Sequence, residues 1–204
     1  MLIAIEGLDG SGKTTQARLL TAHLRERGRE VLLVEEPGTT AVGKAIRAIL
    51  LEQGGEIEPL SELLLYEAAR AQLVREVVRP ALEGGKIVIA DRFALSSLAY
   101  QGYGRGLPLE LVARLNEVAT GGLEPDLTIL LDISPEEGLR RKAEATGRAL
   151  DRLEGGGLEF LRRARVGYLK ALPPSPRGRL LDAQASPEEL HRRVVALVSA
   201  SLRA

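Results

Sequence analysis

The chain has no cysteine and no tryptophan, and only one methionine, two histidines, two phenylalanines and four tyrosines in 204 residues. Without cysteine, disulfides, thiolate nucleophiles and thiolate-held metals are excluded. A histidine metal site needs a cluster. His23 and His191, in the charged helical stretches AHLRERG and ELHRRV, read instead as surface residues. Neither sign of charge is in excess: 28 basic residues face 28 acidic ones, which argues against a general nucleic-acid binder. No stretch approaches the roughly 20 apolar residues of a membrane span, and the opening run MLIAI is too short for a secretory leader. The expectation is a cytoplasmic chain with neither membrane nor nucleic acid as partner. Its length suits one domain over residues 1–204.

What is present alternates. Short apolar runs fall at 2–5, 31–34, 87–90, 127–133 and 179–183, and none alternates polar with apolar, the pattern of strands covered on both faces. Helical periods lie between them, the longest from about Pro59 to Glu83. Alternating β and α units joined by right-handed crossovers make a three-layer α/β fold with a parallel sheet. The piece PPSPRGR (173–179) is a loop before the last strand.

The first strand runs into GLDGSGKT, residues 7–14, and a helix follows. That is G-x-x-x-x-G-K-[ST] in its required strand–loop–helix setting. Gly7, Gly10 and Gly12 let the backbone, with Leu8, Asp9 and Ser11, wrap a phosphate with its N–H groups inward. The start of the next helix, with Thr15, adds its positive end. Lys13 is expected on the β- and γ-phosphates of ATP, and the Thr14 hydroxyl on Mg²⁺. No Asn-Lys-x-Asp for reading guanine follows, and Leu8-Asp9 stand where a partition-type ATPase has a further lysine.

The third strand ends IVIADRFALSSLAYQG, and ligands bind at the carboxyl ends of parallel strands. Asp91 is expected to hold Mg²⁺ through water and Arg92 to clamp a second phosphate. Ser97, Tyr100 and Gln101 share a helical face, as do Tyr66 and Arg70 in LLLYEAARAQ. An aromatic plane beside a guanidinium suits a flat heterocycle.

The stretches EGLDGSGKTT, EEPGTT, LLLYEAARAQ, DRFALSSLAYQGYGRG, PDLTILLDI, LDRLE and LLDA resemble thymidylate kinases over nearly the whole chain. The resemblance implies a P-loop nucleoside monophosphate kinase fold with a five-stranded parallel sheet in the order 2-3-1-4-5, a homodimer, and phosphoryl transfer from MgATP to dTMP. It places Asp9 at the sugar 3′-hydroxyl and the metal–phosphate region. Tyr66 stands where relatives stack a Phe on thymine, Arg70 on a thymine carbonyl, and Ser97 on another edge atom. Arg92 falls on the dTMP phosphate and Tyr100 under the deoxyribose. Relatives commonly read Arg-Glu-Pro-Gly-Gly-Thr after the second strand, where this chain has Glu35 and Thr39 in place of the Arg and the second Gly. Arg47 is the candidate substitute for that arginine, and it joins Glu36 on the acceptor side.

The cradle carries one cation, Lys13, and phosphoryl transfer needs more. A lid at about 138–154 offers Arg140, Arg141, Lys142, Arg148 and Arg152, with Gly147 in a hinge. Arg148 and Arg152 are the catalytic candidates, with Lys13, Arg92 and Asp9; Arg140 and Lys142 are read as a solvated face. The residues leave two other readings open: a kinase for another nucleoside or deoxynucleoside monophosphate, and a P-loop nucleotide-binding switch.

Overall fold

A computed structural model of the chain describes residues 1–52, 56–146 and 157–203. Five strands form one parallel sheet: β1 (Leu2–Glu6), β2 (Val31–Glu35), β3 (Ile87–Asp91), β4 (Leu127–Asp132) and β5 (Gly178–Asp182), in the order β2-β3-β1-β4-β5. Each expected strand lies within a residue of its apolar run. Successive strand residues point to opposite faces, and both faces are covered. Ile3, Ile5 and Ile89 pack on α1 (Lys13–Glu26), α8 (Gly157–Ala171) and α9 (Pro187–Ser201). Leu2, Ala4, Val88 and Ala90 pack on the other side against Leu73, Val74, Val78 and Ala81.

Those last four residues belong to the long helix expected over 59–83. It runs through as α3 (Pro59–Leu73), a widened π turn (Val74–Val78) and α4 (Arg79–Glu83). Pro80 has no N–H to give to the preceding turn, and a widened turn is one way a helix accommodates that loss. Among the described residues the remaining helices are α2 (Ala41–Arg47), which continues into a π turn (Ala48–Glu52), α5 (Ala94–Ser97), which continues into a π turn (Leu98–Gly104), α6 (Leu109–Thr120) and α7 (Pro135–Thr146). His23 and His191 are half-buried against each other where α1 meets α9, ring centroids 5.7 Å apart. Both remain partly open to water, as their charged surroundings in the sequence suggest.

Every strand ends on an acidic residue: Glu6, Glu35, Asp91, Asp132 and Asp182. The register sets Asp91 opposite both Ile5 and Glu35, so the carboxyl ends of β1, β2 and β3 lie within a residue of one level, while β4 and β5 run two residues past Glu6. One contact fixes what stands over these ends. The loop after β1 touches the first turn of α7 backbone to backbone: a side chain on Gly10 would overlap the carbonyl oxygen of Gly138, and a Cβ on Gly138 would lie 2.5 Å from the carbonyl oxygen of Asp9. Gly138→Ala should force α7 off the loop and lower stability by about 1–3 kcal/mol, read as a fall in Tm. An unchanged Tm would mean that the contact yields at no cost.

Candidate active site

One cavity of about 450 Å³ opens over the carboxyl ends of β1, β2 and β3. Asp9, Gly10, Gly12, Lys13, Thr14 and Thr15 line one side; Glu36, Arg47, Tyr66, Arg70, Ser97, Tyr100 and Gln101 line the other; Asp91 and Arg92 lie between. The structure thus brings most of the sequence-picked residues into one space. Gly7, Leu8 and Ser11 stand behind it: Leu8 is buried in the core, the Leu8 carbonyl takes a hydrogen bond from Lys13 Nζ at 2.8 Å, and the Gly7 carbonyl takes one from Arg92 at 3.2 Å. Arg148, Arg152 and Gly147 lie outside the described residues. The cavity also takes in Arg141, offered as a lid cation, and Lys142, read as solvated, together with Glu35, Pro37, Leu51 and Ser96, which sequence reasoning did not place there.

The cradle begins where Gly12, at φ 89°, turns into α1. A residue with a Cβ is strained there. Thr14 Oγ1 donates to Asp91 Oδ2 at 2.5 Å. A hydroxyl and a carboxylate side by side are hard oxygen donors of the kind Mg²⁺ takes, directly or through water.

Arg92 is the one non-glycine residue at positive φ, 73°, among the described residues. Such a conformation costs on the order of 1–3 kcal/mol and persists only where surroundings enforce it. The enforcing group is Glu6, fully buried at the end of β1. Its carboxyl accepts the Phe93 N–H at 2.8 Å, the Ser96 hydroxyl at 2.7 Å and the Tyr168 hydroxyl at 3.3 Å. The turn after β3 is thereby tied to β1, and the Arg92 guanidinium comes over the cavity, donating to Asp9 and to Tyr168 (2.9 Å). Its carbon lies 5.2 Å from the centre of the Tyr100 ring.

Asp9 collects cations from three elements. Besides Arg92, Lys13 approaches at 3.5 Å and Lys142, from α7, at 3.1 Å. Burial works to raise the Asp9 pKa, but Arg92, Lys13 and Lys142 together hold the carboxyl well below its usual range. Lys13 is pushed down to about 8, chiefly by burial and then by Arg92. The solvated reading of Lys142 is corrected here: it stands one helical turn after Gly138, on the face pressed to the loop. Arg140, on the other face, is 55 % exposed and pairs with Glu137 and Glu144.

On the acceptor side Arg70 is 1 % exposed. It donates to Glu36 (2.8 Å), Glu67 (2.7 Å), Ser97 (2.9 Å), Asn116 (2.6 Å) and the Phe93 carbonyl (3.2 Å). Nε and Nη1 are therefore taken up by the protein's own groups, and Nη2 gives one of its two N–H groups to the Phe93 carbonyl. Glu67 and Asn116 were not picked from the sequence, although Asn116 is the only asparagine in the chain. Two carboxylates around one buried cation leave surplus negative charge. Glu36 bears it: burial pushes its pKa up to about 7 against the opposing pull of Arg70, and its Oε1 is buried with no hydrogen-bond partner. Gln101 donates to Glu62 at 2.8 Å. Arg47, the proposed substitute for the missing arginine, pairs with Glu35 at 3.1 Å and donates to the Pro37 carbonyl at 2.8 Å. Thr39 Oγ1 caps the same turn, accepting from Glu35 N at 2.7 Å.

A family model described as thymidylate kinase matches residues 5–194. The chain belongs to the thymidylate kinase family. It is 48 % identical to the thymidylate kinase of Chlorobaculum tepidum, over 98 % of this chain and 97 % of that one. It is 50 % identical to that of Deinococcus radiodurans, over 98 % and 96 %. The crystal structure of thymidylate kinase from Ehrlichia chaffeensis superposes with a TM-score of 0.80 at 31 % identity, covering 98 % of each chain. The sheet order and the P-loop nucleoside monophosphate kinase fold agree with that family.

In this thymidylate kinase family member Glu36 sets a stability slope. Its folded pKa, about 7, lies above the ordinary 4.5, so the folded state holds the proton more tightly than the unfolded one. The resulting stability is fully present below about pH 4.5 and is lost as pH rises to about 7, by on the order of 3 kcal/mol. Denaturant titrations should show the parent losing stability with rising pH across this window relative to Glu36→Gln. Parallel curves for the two proteins would show that Glu36 titrates normally.

Proposed function

We propose that this chain transfers the γ-phosphoryl group of ATP to dTMP, giving ADP and dTDP, with Mg²⁺ bound beside Thr14 and Asp91. The observation that carries the reading is the shared cavity: the phosphate cradle and a polar wall of Glu36, Arg70, Ser97 and Gln101 face the same space, with Arg92 among the lining residues. A hydrolase needs the first and has no use for the second. Mg²⁺, held by Thr14 and Asp91, would offset the charge of the phosphates.

In this reading Lys13 and the loop N–H groups hold the donor phosphates, and Arg92 takes the acceptor phosphate. Tyr66 lies on the base, while Ser97 and the Glu36–Arg70–Glu67 cluster form a fixed polar wall for its edge. Because four acceptors already hold its Nε and Nη1, Arg70 sets the shape and charge of that wall, and a base carbonyl would take the second N–H of Nη2. Tyr100, buried beneath Arg92, would close the space where a ribose 2′-hydroxyl projects. Catalysis is positioning and charge neutralisation, since the acceptor phosphate is already an anion. Arg148 and Arg152 remain the proposed lid arginines. Pairing of two copies stays part of the reading; Leu60 and Leu64, 45 % and 48 % exposed one turn apart on α3, are apolar surface that a second copy would cover. Among the described residues no helix is long and apolar enough to cross a membrane.

The test is ADP release across the common nucleoside monophosphates. Release should depend on dTMP and exceed that with dCMP, UMP or dGMP, and Lys13→Ala should abolish it with circular dichroism unchanged. Equal release with and without any acceptor would identify a slow ATPase, and a different preferred acceptor would replace dTMP in the reading.

A further inference from the structure

We infer that Tyr168 is a positioning residue for acceptor binding: its hydroxyl fixes one edge of the Arg92 guanidinium, so that the other edge is presented to the acceptor phosphate. The inference rests on the kinase reading above and deepens it at a residue that the motifs do not mark. Three observations carry it. First, the two ends of the guanidinium have different partners. Nη1 donates to the Tyr168 hydroxyl at 2.9 Å, with the Gly7 carbonyl at 3.2 Å and Ser96 Oγ at 3.3 Å further off. Nη2 meets Asp9, which lines the cavity, and the Tyr100 hydroxyl at 3.5 Å. Second, the Tyr168 hydroxyl is itself held. Its oxygen takes the Arg92 N–H, since a guanidinium can only donate, and its proton goes on to Ser96 Oγ at 2.8 Å. Ser96 in turn donates to Glu6 Oε2 at 2.7 Å. Two hydroxyls therefore connect Arg92 to a fully buried carboxyl at the end of β1, and each hydrogen bond in such a chain polarises the next. Burial, and then Glu6, raises the Tyr168 pKa well above its ordinary value, so the hydroxyl keeps the proton that the chain needs.

Third, the ring has no slack. A Cβ on the preceding residue, Gly167, would lie 2.8 Å from the Tyr103 side chain and 2.9 Å from the Ala99 Cα, so α8 sits directly on the turn that carries Tyr100. The Tyr168 and Tyr100 rings meet edge to face, centroids 5.9 Å apart. A residue that only filled this core would not need the hydroxyl: Phe160, also on α8 and packed against Tyr100, fills it without one. With the hydroxyl gone, Nη1 would keep only its two longer bonds. The arginine, strained at positive φ and dependent on its surroundings to stay there, would then follow Asp9. That weakens the grip on a phosphate and leaves the base wall untouched.

The experiment measures the affinity of dTMP and of thymidine, which lacks the phosphate, for the parent, Tyr168→Phe and Tyr103→Phe, with steady-state kinetics beside it. Dependence of the parent's ADP release on dTMP tests the kinase reading separately. Tyr168→Phe should bind dTMP roughly 10–100-fold more weakly, the range for one hydrogen bond to a charged group, and thymidine within about twofold of the parent. KM for dTMP should rise with it, while kcat and KM for ATP stay within about threefold. Tyr103→Phe, which removes a hydroxyl outside the chain, should behave as the parent. Unchanged dTMP affinity in Tyr168→Phe overturns the inference. So does equal weakening of dTMP and thymidine, the mark of a core residue whose loss loosens the whole site, or a loss carried by kcat alone. Should Tyr168→Phe not fold, Ser96→Ala, which cuts the chain at its middle, is measured against the same outcomes.

Discussion

One carboxylate organises the site. Asp9 lies in a loop that has no freedom to move sideways, between the end of β1 and a helix turn packed backbone to backbone. It draws toward one point an arginine from the end of β3, the lysine that opens α1 and a lysine from α7. Side by side in an empty cavity, three cations repel one another. Asp9 allows them to wait there, arranged for phosphate before any arrives. Removing the cost of that arrangement from the moment of reaction is electrostatic preorganisation.

The same principle recurs on the acceptor side. Arg70 is buried with two carboxylates, a serine and an asparagine around it. A buried cation stripped of its partners would cost several kcal/mol, so the cluster is rigid, and its polar wall has one shape. Glu6 links the two halves. From the end of the central strand it fixes Phe93 and Ser96, and with them the strained turn that aims Arg92. Charges on both sides of the cavity are thus tied to the sheet by hydrogen bonds that water does not reach.

The strands were legible because burial on both faces writes itself as unbroken apolar runs, and the cradle because few sequences other than glycine-rich ones can wrap a phosphate. The residues of DRFALSSLAYQG were legible as a face but not as partners. That Nη1 of Arg70 is already engaged depends on Glu67, three residues before it, and on Asn116, brought from a helix distant in sequence. Glu6 carries no signal in the sequence beyond its place after an apolar run. Lys142 was misjudged because the composition of 138–154 is charged throughout, and helical spacing alone cannot say which face meets the loop. The signal was Gly138: a glycine inside a helix marks a close neighbour, and the residue one turn later shares its side.

The central claim is that Asp9 holds Arg92 only until an acceptor phosphate replaces it. A crystal structure of the protein with dTMP bound tests this directly. The account predicts the Arg92 guanidinium bonded to the dTMP phosphate and withdrawn from Asp9, with the Arg70 cluster unchanged from the empty site. Arg92 still paired with Asp9, and the phosphate held elsewhere, would contradict it.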